Sequence, residues 1–215
     1  MLKVWGRRNS INVQKVLWLV AELGVAHEHI DAGGPAGGLN TPEFRALNPN
    51  GWVPVIEDNG FAVWESHTIL RYLAATYGED QFWSEAPAWR SLAERWMDWC
   101  QTALQPDFIG GVFWGHYRTP PAQRNGPAIA ARLERCAGHF RFLDRWLERR
   151  DFILGEEFSL ADIPAGTMLY RYFTLDIERP SVPHVEAWYE RLCERPAYRD
   201  HVMLPYEDLR GRLDY

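Results

Sequence analysis

The chain is poor in cysteine. Cys100, Cys136 and Cys193 are odd in number and far apart, with no Cys-x-x-Cys and no metal-ligand spacing. They read as buried or half-buried free thiols of a reducing cytosol, and no metal is expected. No run of roughly 18 apolar residues occurs, so no membrane span is expected. The N-terminus enters a strand directly, without the basic and apolar segments of a secretory signal, and the expected location is cytoplasmic. An excess of basic charge is also absent: the formal net charge is -6, which argues against a nucleic-acid partner. No internal repeat is present. What the chain does have is 215 residues, 47% of them hydrophobic, enough for one large or two modest domains with a real core. Its 11 tryptophans need core or interface positions, because indole is costly to leave in water.

Periodicity divides the chain in two. Leu2 to Gly6 has strand character and leads through the polar turn Arg7-Arg8-Asn9-Ser10 into a helix. That helix carries Val13, Val16, Leu17, Val20 and Ala21 on one face and stops at Gly24. Ala26 to Asp31 is a second strand, and the Gly-rich stretch from Ala32 to Asn40 is a loop. Thr41-Pro42 starts a short helix that ends near Leu47. Val53 to Glu57 and Phe61 to Trp64 form a hairpin about Asp58-Asn59-Gly60, after which Ser66 caps a helix ended by Gly78. The order is β-α-β-α-β-β-α, a mixed sheet with helices packed on it.

From Ala86 onward no segment reads as a convincing strand. A helical stripe from Trp89 to Cys100 runs to Pro106, and Pro106 with Gly110-Gly111 is expected to break or bend it. Thr119 to Pro127 is a loop. Ile129 to Arg149 is a long helix, Phe152 to Gly155 is extended, and Ser159-Leu160-Ala161-Asp162 is a capping box for a helix reaching Phe173. Val185 to Glu194 is the last clear helix, and residues 206–215 are a polar tail that either covers a pocket or lies loose. The two domains expected are 1–80 and 87–215, joined through the linker Gln81 to Pro87.

A strand that turns tightly into a helix gathers free backbone N–H groups and the positive end of the helix dipole at one spot. Ser10 and Asn12 occupy that spot, which suits an anion. Phosphate is disfavoured because no glycine-rich loop precedes the helix.

Two further stretches bear on the choice of anion. Asn48-Pro49-Asn50-Gly51-Trp52-Val53-Pro54-Val55 and Glu65-Ser66-His67-Thr68-Ile69-Leu70-Arg71-Tyr72-Leu73 together resemble a motif pair of the cytosolic glutathione S-transferases, in particular the bacterial, theta-, zeta- and nu-like members. Ser159 to Ile163 is similar to the capping box of their second domain. The resemblance covers nearly the whole chain and is strongest over residues 2–78. It implies an α/β thioredoxin-like N-terminal domain that binds glutathione and an all-α C-terminal domain that lines the electrophile site. It also implies a homodimer, with glutathione as co-substrate and no metal.

Site residues follow from the resemblance, each with a physical reading. Pro54 is expected to follow a cis bond, presenting the N–H and C=O of Val53 to a peptide laid alongside as a strand. Ser66 and the first-turn N–H groups suit the γ-glutamyl carboxylate, and Glu65 suits the ammonium. Where thioredoxins carry Cys-x-x-Cys, this chain has Ser10-Ile11-Asn12-Val13, so the protein's own thiols cannot exchange disulfides there. Ser10, the first choice, or Asn12 then donates to glutathione's thiolate. Trp52, expected with Val53 and Pro54 at the glutathione site, replaces the basic residue that many relatives carry before Val-Pro, and Leu39-Asn40-Thr41 replaces another basic position, so Asn40 or Asn50 is left to hold the glycyl end by neutral hydrogen bonds. Phe108, Phe113, Trp114 and Tyr117 are expected to form an apolar electrophile pocket.

The reading is a glutathione transferase acting on a small hydrophobic electrophile. The alternatives are a glutathione-dependent isomerase or disulfide reductase on the same fold, or a non-catalytic binding protein that kept it.

Overall fold

The computed structural model describes residues 1–213; the last two residues of the expected tail, 214–215, lie outside the described residues. The chain forms two compact units. Unit 1 comprises residues 1–84 and 196–204, and unit 2 comprises 85–195 and 205–213.

Unit 1 is built on a four-stranded sheet of β1 (Leu2–Trp5), β2 (His27–Ile30), β3 (Val55–Asp58) and β4 (Phe61–Trp64), in the order β2-β1-β3-β4. β1 runs parallel to β2, with Leu2 opposite His27, and antiparallel to β3, with Trp5 opposite Val55. The β3–β4 hairpin turns on Asn59 and Gly60, with φ of 49° and 86°, the positive pair that matches the twist of the strands.

Helix α1 (Ile11–Glu22) ends as its glycine predicts. Gly24 has φ +63°, its N–H donates to Ala21 O at 3.1 Å, and Val25 N–H donates to Val20 O at 3.1 Å. Its burial exceeds the single stripe read from periodicity: every residue from Val13 to Val20 is buried. The cause is a short helix beyond the last one expected, α8 (Pro196–His201), packed on α1 beside Trp18, whose ring meets Tyr198 edge-on at 4.8 Å. Pro196 does not end the helical part of the chain; it sits at the first position of a new helix, where its missing N–H costs nothing.

Helix α2 (Pro42–Leu47) is capped by Thr41, whose Oγ1 accepts from Phe44 N–H at 3.3 Å. Helix α3 (Ser66–Tyr77) begins one residue earlier than a Ser66 cap requires. Glu65 holds the cap position with φ +69° and ψ 117°, and Ser66 is the first helical residue.

In unit 2, α4 (Pro87–Trp99) continues without a break through widened turns at Cys100–Leu104 and Pro106–Arg118. At Pro106, where a break or a bend is expected, the coil is continuous and changes its winding. A π-type turn, bonded i to i+5, absorbs the proline's missing N–H and the bulk of its ring, so the coil widens where an α-helix would break. Asn125 Oδ1 accepts from Ala128 N–H at 3.1 Å and opens α5 (Gly126–Leu147). α6 (Asp162–Thr174) and α7 (Pro183–Glu194) follow, and Phe152 to Gly155 forms an isolated bridge.

Ser159 and Asp162 do not form the expected capping box: Ala161 holds the cap position of α6 with no side-chain cap bond, and Ser159 Oγ accepts from Ala161 N–H at 3.3 Å in the turn before it. Asp162 is fully buried; its Oδ2 accepts from Ser159 N–H and Oγ–H at 2.9 Å each. Its Oδ1 accepts from Ile153 N–H at 2.8 Å and Trp188 Nε1–H at 3.1 Å. Burial outweighs these four donors and pushes the carboxyl up to about 6. Cys100 and Cys136 are buried and Cys193 half-buried, all three free, and burial pushes the Cys136 thiol up to about 12. Among the described residues no helix is long and apolar enough to cross a membrane, and no group of His, Cys, Asp or Glu is placed to hold a metal ion.

Candidate functional site

The site in unit 1 begins at Gly6. Its φ is +142°, and a Cβ built there would lie 2.5 Å from Val13 Cγ2 and 3.0 Å from Val53 Cβ. Only glycine lets the end of β1, the start of α1 and the loop before Pro54 approach this closely. The Val53–Pro54 peptide is cis. Among the described residues, neither the N–H nor the C=O of Val53 has a hydrogen-bond partner. A half-buried backbone segment with both groups unpaired is an open edge for an extended peptide.

On one side of this edge lies the start of α1. Ser10 is its N-cap by backbone position, yet its side chain makes no cap bond, and Oγ has no partner among the described residues. The hydroxyl is available to a ligand. Asn12 accepts through Oδ1 from Lys15 Nζ at 3.0 Å, and Lys15 Nζ is 3.1 Å from His67 Nε2. An ammonium can only donate, so this contact assigns the oxygen end of the Asn12 amide to Lys15 and turns its NH2 the other way. Lys15 is 0% exposed, its Nζ held inside unit 1 behind the helix N-terminus.

Beside it lies the start of α3. Glu65 is exposed and Ser66 is 6% exposed. Ser66 Oγ and the N–H groups of Ser66 and Thr68 have no partner among the described residues. The Lys15–His67 contact ties this helix start to Asn12, so two of the three pieces read from sequence are physically joined.

The loop before Val53 is braced from α2. Asn48, 2% exposed, donates from Nδ2 to Trp52 O at 2.9 Å and accepts from Asn50 N–H at 3.0 Å. Asn50 itself is exposed, tied to the loop through its backbone N–H. Asn40 Oδ1 accepts from Arg45 Nη2 at 2.6 Å, and Arg45 Nη1 donates to Pro49 O at 2.7 Å. Trp52 is 72% exposed.

The residues expected to line an electrophile pocket all fall in unit 2, with unequal exposure. Phe108 is 0% exposed and packs edge-on to Phe140 and Tyr172. Phe113 is 1% exposed, stacked on Tyr117 at 5.3 Å with the Arg171 guanidinium 4.7 Å from its ring centre. Trp114 is half-buried beneath the guanidinium of Arg118 at 3.7 Å. Tyr117 is the one of the four that lines a cavity of about 340 Å³, together with His116, Arg124, Tyr170, Tyr206 and Arg210. The cavity is walled by tyrosine rings and charged groups, a more polar lining than the aromatic run suggested.

Lys15, His67 and Arg45 escaped the sequence reading. Lys15 had a signal, since it stands three residues from Asn12 on one helix face. His67 had none, because its contact joins residues 52 positions apart; Arg45 reaches only across the two ends of α2, to Asn40 and Pro49, where no motif marks it.

Comparison with known proteins agrees with this geometry. Residues 1–75 match the family model for the glutathione S-transferase N-terminal domain and residues 106–196 that for the C-terminal domain. Glutathione S-transferase GstB of Escherichia coli K12 is 40% identical over 207 residues, 95% of this chain and 99% of that protein. The crystal structure of the theta class glutathione S-transferase from Xanthomonas axonopodis pv. citri with glutathione bound superimposes with a TM-score of 0.89. It is 45% identical and covers 95% of this chain and 98% of its own. The apo form of that enzyme gives a TM-score of 0.82 at 40% identity, covering 95% of this chain and 97% of its own.

Proposed function

The chain belongs to the glutathione S-transferase family, and on that premise we propose that it is a glutathione transferase that binds the tripeptide along Val53 and conjugates its thiolate to an electrophile. The observation that carries this reading is the unpaired N–H and C=O of Val53 beside the open start of α3. Glutathione has an extended backbone to pair with Val53, a carboxylate for Ser66 and the first-turn N–H groups of α3, and an ammonium for Glu65.

The thiol is then received at the start of α1. Free thiols titrate near 8.5, and lowering that by about two units needs ~2.7 kcal/mol of preference for the thiolate. Ser10 Oγ–H and the Asn12 NH2 each supply a hydrogen bond to a charged group, about 1.5–3 kcal/mol apiece, and the helix N-terminus adds to it. The nucleophile is the sulfur of the co-substrate, so the protein's part is positioning and electrostatics. As sulfur bonds to the electrophile, the thiolate's charge passes to the leaving group or to the substrate.

Unit 2 holds the electrophile around Trp114 and Tyr117, with Phe108 and Phe113 packed behind as support. A homodimer fits the exposed apolar side chains of β4 and α3: Phe61 at 63%, Trp64 at 39% and Tyr77 at 36%. Free cysteines suit a cytoplasmic location.

Calorimetric titration with glutathione, alongside conjugation of a chloronitrobenzene, tests the reading. Binding below millimolar concentration and glutathione-dependent turnover are expected. Absence of binding at millimolar glutathione overturns it, and binding without turnover on a panel of electrophiles leaves a binding protein.

A further inference from the structure

The transferase reading, on which this inference rests, leaves the chemistry of the electrophile open. The cavity of about 340 Å³ in unit 2 narrows it. The ring of Tyr206 meets Tyr117 edge-on at 5.1 Å and Tyr170 edge-on at 6.0 Å, an aromatic wall for a small organic body. The three hydroxyls of that wall are not equivalent. Thr174 Oγ1–H donates to Tyr170 O at 2.6 Å, so its one hydrogen is used and Tyr206 O–H donates to Thr174 Oγ1 at 2.7 Å. The hydroxyls of Tyr117 and Tyr170 have no hydrogen-bond partner among the described residues.

Arg124 adds a charge to the same lining. Its Nε–H donates to Thr119 O at 3.1 Å, which ties the guanidinium to the loop and leaves the four Nη hydrogens. Asp176 and Glu207 also line the cavity, yet among the described residues neither pairs with Arg124. Both carboxylates are exposed, whereas Arg124 is half-buried. A second guanidinium, that of Arg210, lies 4.9 Å from the Tyr117 ring centre. A loop brace needs only the bond to Thr119, and it leaves unexplained why two unpaired phenol hydroxyls face the cavity that Arg124 lines.

We propose that this cavity is an oxyanion subsite, in which Arg124 and the hydroxyls of Tyr117 and Tyr170 receive a carboxylate carried by the second substrate. The preferred electrophile is then a small organic acid. A purely apolar one covers these donors and strips their hydration without replacing it; a carboxylate replaces it with charge-assisted bonds. Arg124 and Tyr170 are specificity-determining residues on this account, and the reacting sulfur remains that of glutathione.

The test compares 4-chloro-3,5-dinitrobenzoate with 4-chloro-3,5-dinitrobenzamide, which differ in the charged group. In both, the thiolate sulfur bonds to the ring carbon bearing chlorine, the C–Cl bond breaks and chloride leaves with its electron pair. Each kcat/KM is divided by the rate constant of the same electrophile with glutathione alone, which removes the difference in intrinsic reactivity. The wild type is expected to favour the acid about tenfold, the size of one charge-assisted contact, and 0.5 M NaCl to reduce that preference. Arg124→Gln and Tyr170→Phe are each expected to bring the ratio of acid to amide at least threefold closer to one, and Arg124→Lys to retain part of it. Equal losses on both electrophiles in Arg124→Gln and Tyr170→Phe mean that these residues only shape the wall, and overturn the proposal. A wild type that treats acid and amide alike, or favours the amide, overturns it too and leaves glutathione transfer standing. If no electrophile is turned over, chloronitrobenzene included, the transferase reading falls by itself. The subsite is then decided by calorimetry with the unreactive 3,5-dinitrobenzoate and 3,5-dinitrobenzamide, where tighter binding of the acid supports it and equal binding overturns it.

Discussion

Lys15 donates from Nζ to Asn12 Oδ1 at 3.0 Å, from a position with no solvent exposure. The contact makes Asn12 more than a helix-start amide. It fixes which end of the amide faces away from the core and places a buried Nζ one hydrogen bond behind that end. Ser10 Oγ, by contrast, is unpartnered among the described residues and can rotate to any acceptor.

On the proposed reading both donors act on the thiolate, and their removal should have different signatures. Ser10→Ala is expected to lower kcat/KM with a chloronitrobenzene about tenfold to a hundredfold, corresponding to one charge-assisted bond of ~1.5–3 kcal/mol. It should also raise the apparent pKa in the pH profile of kcat/KM. Asn12→Asp keeps the acceptor for Lys15 but replaces the donor by a carboxylate. It should raise the apparent pKa further than Ser10→Ala while leaving thermal stability near that of the wild type. Losses under about threefold in both variants would remove these residues from the site.

Glu65 carries a backbone conformation that its proposed contact with the glutathione ammonium would explain. A non-glycine residue at φ +69° and ψ 117° costs about 1–3 kcal/mol, and such positions persist where the side chain is needed. Glu65→Gly is expected to raise the urea midpoint by an amount equivalent to ~1 kcal/mol, after allowance for the more flexible unfolded chain. The same variant should lose at least tenfold in glutathione affinity. Glu65→Gln separates the two effects: it should lose affinity and leave the midpoint where it was. A destabilised Glu65→Gly would show that the backbone is comfortable there.

Asp162 gives unit 2 a pH dependence of unusual sign. Its carboxyl titrates at about 6 in the folded protein, against about 3.9 in an unfolded chain. Because the folded value is the higher one, the folded state keeps the proton between those limits and the unfolded state has lost it. The contribution to stability is complete below about pH 4 and is lost as pH rises to about 6, up to ~3 kcal/mol. Asp162→Asn cannot titrate and presents one acceptor oxygen where four donors now converge. It should be less stable at every pH, and the gap to the wild type, from urea unfolding, should narrow between pH 4 and pH 6. A gap that widens over that range would mean that the four donors outweigh desolvation.

What the sequence made legible is local. The strand–turn–helix start, the Asn59-Gly60 hairpin and the Gly24 stop depend on a few adjacent residues, and the structure has each of them. Val53-Pro54 was legible because a cis bond is tied to proline, whereas Glu65-Ser66 was legible only through the resemblance of the motif. The rest depended on partners distant in the chain. Lys15 is a charge in a buried position that periodicity cannot justify until His67 is folded against it. The full burial of α1 required α8, a six-residue helix beyond a proline. Glu65 was misplaced by one residue because its φ violates the local rule that sequence reading applies. Pro106 misled for the opposite reason: the rule is sound for an α-helix, and the chain there winds as a π-helix.

Gly51 offers a test of how the Arg45 guanidinium is seated, independent of any ligand. An alanine there meets two obstacles: a backbone at φ +67°, and a Cβ 2.5 Å from Arg45 Cζ. The first is intrinsic and costs about 1 kcal/mol; the second is relieved only if the guanidinium leaves its bonds to Asn40 and Pro49. Gly51→Ala alone is expected to destabilise unfolding by ~2 kcal/mol, and by only ~1 kcal/mol in an Arg45→Ala background, where the steric part has vanished. The double-mutant coupling is therefore about 1 kcal/mol, read from denaturant midpoints of the four proteins. Strict additivity would mean that the side chain moves aside at no cost, and that the flat seat of Arg45 on Gly51 is not enforced by its two hydrogen bonds.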